Sequence, residues 1–444
     1  MSLEEIRKYD TFIYEDYKIE EQEESLKITF YFEIPGLETF TPSLEIPKLK
    51  EKNVDSFVET LVFHLGMVEM MSYYKCCIPQ NIVVKCGFLN KEQETWFKKL
   101  YFLGLGEFFY TNKIEVHYDD FVTFQFLGQE MKHLDVNYNG QGIMVAIGGG
   151  KDSCVSLELL KDEKNRSAFI INPKPVMIDC AHVSGLDEDS IFKIKRNLDL
   201  KIVELNKRGF LNGHTPFSSM VAFTSYLTAY LNNKKYIVLS NEASANESNV
   251  QGTKVNHQYS KSYEFECDFN AYTKRYFNID IHYFSFLRPI NEYQIGKLFS
   301  NMPAYHSIFK SCNPGSKGQP WIWCNACAKC LFVYSMLSPF LYKEALVAIF
   351  KEDLFEKQEL LPLFNDLLGY GEHKPFDCVG TYEEVNYAIS KTIKKLGNDL
   401  PFLLNYYQEH YPLIEGKALE NYWNEEHQLN EHFESILKRA INND

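Results

Sequence analysis

Gly148, Gly149, Gly150, Lys151, Asp152 and Ser153 lie between the apolar run Ile143-Met-Val-Ala-Ile147 and a stretch from Cys154 to Leu160 that reads as helix. A buried strand, a glycine turn and a helix opening near Asp152 or Ser153 would together cradle an anion. Glycines let the backbone approach a ligand without a Cβ in the way, and the first turn of a helix leaves its N–H groups free. Lys151 adds a mobile positive charge and the Ser153 hydroxyl a further donor, so a nucleotide phosphate suits this order of residues. Three glycines alone would fit close strand-to-helix packing equally well. The Lys-Asp-Ser that follows sharpens the phosphate reading, and the spacing is neither Walker A nor Gly-x-Gly-x-x-Gly.

A second group is built from sulfur. Cys324, Cys327 and Cys330 recur every third residue, and Cys312 precedes them across Asn313-Pro314-Gly315. Four thiolates can hold a tetrahedral zinc, with the short gaps forming tight knuckles and a loop delivering the fourth ligand. A structural Zn²⁺ is expected; packed, reduced cysteines or a redox pair are the alternatives. Two polar segments follow the same logic of position. Gly213-His214-Thr215-Pro216-Phe217-Ser218 opens a helix, so His214, Thr215 and Ser218 would bind an anionic substrate group or simply cap that helix. The run Ser240 to Asn249 follows a strand and continues through Asn256, His257 and Lys261, offering Glu242, Asn246 and Asn256 to a polar ligand. Downstream, Thr381 and Glu384 have capping-box spacing, which leaves Cys378 as an acid/base thiol or a buried one.

The elements that must position these groups alternate. Strands are expected over 143–147, 168–171, 176–178, 201–205 and 236–239, with helices over 187–198 and 217–231. Such alternation implies a doubly wound, mainly parallel sheet, and it would place Asp179 and His182 at a strand's C-terminal end, where open α/β sheets bind nucleotides. Before it, a strand over 25–34, a core-facing helix over 54–71 and a helix over 91–104 capped by Asn90 suggest an α+β unit. In that unit Glu59, His64 and Glu69 read as solvated or hydrogen-bonded rather than catalytic. After residue 331 the chain reads as largely helical. Domains are therefore expected at 1–140, 141–310 and 311–444.

With 444 residues, 45% apolar and 24% charged, the composition is that of a globular protein with a large core. A net charge of -14 disfavours an extended nucleic-acid surface and favours small-molecule chemistry. No apolar run approaches a membrane span and Met-Ser-Leu-Glu-Glu lacks a signal pattern, so no membrane insertion and a cytoplasmic location are expected, with the 11 cysteines mostly reduced.

The loop Gly148 to Ser153 resembles the PP-loop of the ATP pyrophosphatase superfamily, usually Ser-Gly-Gly-x-Asp-Ser, with Gly148 where serine is common. That resemblance implies an adenine nucleotide alpha hydrolase-like sheet and ATP cleavage between the α- and β-phosphates with Mg²⁺. Several segments together resemble the UDP-N-acetylmuramoyl-L-alanyl-L-glutamate epimerase family. They are Leu65 to Pro79, Gly148 to Ser153, Gly213 to Ser218, Ser240 to Lys261, Trp323 to Phe332, Ser338-Pro339-Phe340 and Phe376 to Thr381. The implied reaction inverts the terminal L-glutamate of a UDP-N-acetylmuramoyl dipeptide in peptidoglycan precursor synthesis. The chemistry is coherent, because an acyl-adenylate removes the carboxylate charge that opposes loss of the α-proton. On this resemblance Gly148 to Ser153 and Asp179 would hold ATP, His214, Thr215, Ser218, Glu242, Asn246 and Asn256 the substrate, and His257, Lys261 and Cys378 would move protons. Other PP-loop adenylating reactions, namely amidation, nitrile formation and tRNA-base modification, or a noncatalytic ATP-binding protein, are the alternatives.

Overall fold

Apolar residues at alternate positions of Ser25–Ile34 are buried while their neighbours are not, the pattern of a strand with one covered face. This strand lies within a single eleven-stranded sheet, and the computed structural model describes residues 2–130, 136–246, 259–318, 320–371, 374–375 and 377–442. In chain order the strands are β1 Thr11–Glu21, β2 Ser25–Ile34, β3 Glu38–Phe40, β4 Ser43–Pro47, β5 Asn81–Val84 and β6 Thr123–Phe126. They continue as β7 Ile143–Ala146, β8 Ser167–Ile171, β9 Ile191–Asn197, β10 Tyr236–Leu239 and β11 His282–Ser285.

The spatial order is β11-β10-β7-β8-β9-β4-β2-β1-β5-β6, with β3 beside β2. From β11 to β9 every pair is parallel. The expected parallel sheet is therefore one part of a mixed sheet. β4 joins β9 antiparallel, with Leu44 opposite Arg196, and the pairs β4/β2 and β2/β1 are antiparallel as well. Both faces of the parallel part are covered. Met144, Phe169 and Ile237 enter one core with the N-terminal helices, whereas Val145, Ile170 and Val238 enter another with the helical C-terminal region. Strands buried on both sides read as continuous apolar runs, as β7 and β10 do.

Three expected elements changed type. Residues 176–178 belong to the helix Pro175–Val183, started by a proline at its first turn, where the missing N–H and fixed φ suit a helix. Residues 201–205 belong to the helix Lys201–Lys207, which buries Ile202 and Leu205 at a spacing of three. The expected helix 187–198 is a 3-10 turn capped by Asp187 followed by β9. Its buried Ile191 and Ile194 mimic helical spacing, but ladders to β8 and β4 on both edges decide the conformation. Among the described residues no helix is long and apolar enough to cross a membrane.

Candidate active site

β7 leads through Gly148, Gly149 and Gly150 into the helix Lys151–Leu159. Gly149 has φ +83°, a backbone region that disfavours side chains, and its carbonyl accepts the Lys310 N–H at 2.8 Å. Gly150 is the N-cap and no side chain caps the helix, so its first N–H groups face the turn unclaimed by a side chain. The Ser153 hydroxyl donates to the Gly150 carbonyl at 3.0 Å. The strand order reverses between β7 and β10, and there the carboxyl ends of the strands open a cleft of about 350 Å³, within the roughly 300–1,000 Å³ usual for small-molecule sites. Phe169, Met177, Val221, Leu239 and Trp321 supply an apolar wall.

Of the residues singled out in the sequence, Gly148, Gly150, Asp152, Ser153, Ser218, Glu242, Lys261 and Cys378 line this cleft. Lys261 and Cys378, 117 positions apart, meet there, with Nζ 3.0 Å from Sγ. Burial works against the Lys261 charge, but Cys378, Glu242 and Asp152 outweigh it and hold the ammonium above the usual lysine range. Lys329, also in the wall, donates to the Cys378 carbonyl. Glu242 accepts from the Ser244 hydroxyl at 3.3 Å.

Lys151 is not the mobile cation that its position in the loop suggests. It is buried, and Nζ is ion-paired to the carboxylates of Asp152 and Glu292. Burial opposes its charge, yet the two carboxylates hold the ammonium above its ordinary range. Burial, with Asp152, pushes Glu292 above the usual carboxylate range against the pull of Lys151. Asp152 is held below the usual carboxylate range, because Lys151 and Lys329 outweigh its burial. Glu292 was not foreseen. Asn291 and Gln294 form a capping box that marks its helix, but nothing local ties it to a lysine 141 positions away. Glu384 joins the support, accepting from the Glu292 N–H at 2.9 Å while closing the Thr381 capping box.

Other expected residues lie elsewhere. Asp179 is exposed on the helix Pro175–Val183 and is not part of the cleft wall, so the strand end meant to carry it does not exist. His214 Nδ1 lies 3.2 Å from a Glu107 carboxylate oxygen, and the Thr215 hydroxyl accepts from Lys75 at 2.7 Å. Asn256 and His257 fall outside the described residues, as does the side chain of Asn246.

The thiols of Cys312, Cys324, Cys327 and Cys330 all lie within 4.8 Å of one another. Cys312 to Cys327 and Cys324 to Cys330 are 3.8 Å, and Cys327 to Cys330 is 3.5 Å. A zinc bound tetrahedrally at ~2.3 Å separates its sulfurs by about 3.8 Å, so this set fits the ion. Backbone N–H groups of Gly315 and Cys324 point at Cys312 Sγ from 3.2 and 3.4 Å, as donors to a thiolate would. The same segment brings Ser311, Asn313, Trp321 and Lys329 to the cleft.

Comparison with known proteins agrees along most of the chain. The family model for the MurL N-terminal domain matches residues 3–286 and that for the MurL C-terminal domain residues 308–410. The UDP-N-acetyl-alpha-D-muramoyl-L-alanyl-L-glutamate epimerase of Xanthomonas oryzae pv. oryzae is 34% identical over 333 residues, 73% of each chain. Proteins of the same name from Micromonospora sp. and Salinispora tropica are 32% and 31% identical over 399 residues, 88% of this chain and 88% and 86% of theirs. No solved structure matches. The chain belongs to the MurL family.

Proposed function

We propose that this MurL-family chain inverts the α-carbon of the terminal glutamate of UDP-N-acetylmuramoyl-L-alanyl-L-glutamate, after adenylating that glutamate's α-carboxylate with ATP. The observation that carries the reading is the single cleft that joins a glycine turn and an uncapped helix start to the Lys261–Cys378 pair. The names of the three relatives supply the substrate. The glycine turn, Asp152 and Ser153 are assigned to the phosphates, as in PP-loop enzymes. Mg²⁺ would neutralise phosphate charge there, and Asp152, held ionised by its neighbours, is the residue assigned to it.

A free carboxylate resists loss of the adjacent proton because the carbanion would form beside a negative charge. Attack of the carboxylate oxygen on the α-phosphorus of ATP, with the α–β phosphoanhydride bond breaking and pyrophosphate leaving, forms the acyl-adenylate and removes that charge. Cys378 as thiolate, stabilised by the Lys261 ammonium, is assigned to proton transfer on one face of the α-carbon. Groups 3.0 Å apart cannot flank both faces of a carbon, so the pair acts on one side. The opposite transfer is assigned to His257, from the sequence. Water then releases AMP and the D-glutamyl product. Three units, 1–140, 141–310 and 311–444, remain the proposed division of labour.

A second reading, direct inversion between two thiols without ATP, would draw on Cys154 and Cys180, which lie 3.5 Å apart. Both are fully buried and neither lines the cleft, which leaves no room for a carbon between them. The test incubates the protein with ATP, Mg²⁺ and the UDP-muramoyl dipeptide in D₂O, following pyrophosphate, AMP and α-deuterium. Wild type should yield all three, and Cys378→Ser should keep pyrophosphate release while α-exchange falls ~100-fold or more, the usual scale of a lost acid/base group. Exchange without ATP would overturn the adenylate route. Unimpaired exchange in Cys378→Ser would remove the thiol from the proton path.

A further inference from the structure

Beside the cleft, a second cavity of about 280 Å³ opens where the parallel part of the sheet meets the N-terminal strands. Its polar side is cationic. Lys75 is buried there, and Nζ donates to two neutral oxygens, the Gly213 carbonyl and the Thr215 hydroxyl. Among the described residues no carboxylate lies within 4 Å of that ammonium, although a buried lysine ordinarily finds one. Burial first, and then Arg196, push Lys75 down to about 8. Arg196 is held by Glu69 through Nε and Nη2, and its guanidinium carbon stands 6.0 Å from the centre of the Phe217 ring. The helix Phe217–Leu231 starts at the same cavity without a side-chain cap, adding its positive end.

The other side is apolar and open. Phe217 and Val203 line the cavity and keep 46% and 41% of their surface exposed, high for such side chains on a folded surface. Phe217 is also a wall of the first cleft, so a single elongated molecule lying across the head of that helix reaches both.

We propose that this second cavity binds a uridine diphosphate group, the diphosphate at Lys75 and the start of the helix Phe217–Leu231, the uracil against the exposed face of Phe217. The proposal rests on the substrate reading above and extends it. The nucleotide end of the substrate is held here while its glutamate end reaches Lys261 and Cys378. A flat ring suits stacking, and a diphosphate supplies the negative charge that Lys75 lacks.

The test titrates full-length protein calorimetrically with UDP, inorganic pyrophosphate and ATP in separate runs, using wild type, Lys75→Met and Val203→Glu. UDP should bind wild type and weaken roughly tenfold or more in both variants, while ATP affinity stays within about twofold. Pyrophosphate should bind more weakly than UDP. Pyrophosphate binding as tight as UDP would remove the uracil contact and overturn a uridine site. UDP binding that is absent, that ATP displaces, or that neither variant weakens would overturn the proposal. Val203 sits on an exposed rim, so its variant still decides the matter where Lys75→Met fails to fold. The two readings fail separately. UDP binding that depends on Lys75 without epimerisation removes the reaction and keeps the site. Epimerisation whose KM is unmoved by Lys75→Met removes the site and keeps the reaction.

Discussion

Lys151 and Lys75 are both buried, and their surroundings treat the charge in opposite ways. Lys151 lies between the carboxylates of Asp152 and Glu292, which hold its ammonium above the ordinary range against burial. Lys75 has only neutral oxygens in contact, and burial pulls it down. A cation with its counter-charges built in is scaffolding, fixing the glycine turn to the helix that starts at Glu292. A cation with no carboxylate in contact, only the weaker pull of Glu107 from farther off, is incomplete until an anion arrives. His64 is a third case. It sits among the rings of Tyr272 and Phe277, and burial pushes it down to about 4 despite a bond to the Thr60 carbonyl, so it sheds the charge altogether.

The largest effect should come from removing the paired lysine. Lys151→Met leaves the Glu292 carboxyl buried without its partner, a change that costs ~3–5 kcal/mol in comparable buried pairs, and strips Asp152 of its nearest cation. Urea unfolding should register that loss, and pyrophosphate release should fall at least ~1000-fold, because the turn and Asp152 lose their anchor. A variant as stable as wild type would dissolve the contrast between the two lysines.

How far this contrast could be read in the sequence depends on distance along the chain. Phe217–Leu231, Tyr236–Leu239 and Lys91–Gly104 were legible to the residue, because apolar spacing and the Asn90 cap are local signals. The cysteine cluster was legible for the same reason. The mixed sheet was not, since the partner of Leu44 is Arg196 and no local pattern records that pairing. Residues 176–178 read as a strand from their apolar run alone, although the proline just before them also begins helices. In the cleft, Lys261 and Cys378 were each visible by type, but their meeting was not. Glu292 was missed because its local role as the first residue of a helix hides its distant one.

His64 should give the next effect, and it sharpens the comparison by showing a base that avoids the problem. Its folded pKa, near 4, lies below the unfolded value of about 6.5, so between those limits the unfolded chain binds the extra proton. The stability from a neutral His64 is complete above about pH 6.5 and declines as pH falls toward 4, by on the order of 3 kcal/mol. Comparing wild type with His64→Leu by denaturant titration at pH 7 and pH 4.5 isolates this term, since the other groups cancel. Equal pH slopes in the two proteins would mean that His64 carries its proton in the folded state.

The cysteine cluster separates the two cavities, because its segment walls the first and does not reach the second. Cys327→Ser, or removal of zinc by a chelator, should release one equivalent of metal and weaken ATP binding about tenfold, with UDP affinity nearly unchanged. Loss of both affinities together would make the cluster a support for the whole fold rather than for one wall.

The smallest effect, and the one that most directly tests the idea of an incomplete cation, concerns the stability of Lys75→Met. Depressing an ammonium from 10.5 to about 8 corresponds to on the order of 3 kcal/mol of unfavourable burial at neutral pH. Methionine removes that penalty, keeps most of the volume, and gives up two hydrogen bonds of ~1 kcal/mol each. The net change should stay within about 1 kcal/mol and lean toward stabilisation, a small fraction of the cost expected at Lys151. Thermal unfolding with and without UDP reads both halves of the argument at once. Wild type should gain stability from the nucleotide and the variant should gain far less. A loss as large as that of Lys151→Met, with no change in the response to UDP, would show that Lys75 is already satisfied by its two oxygens.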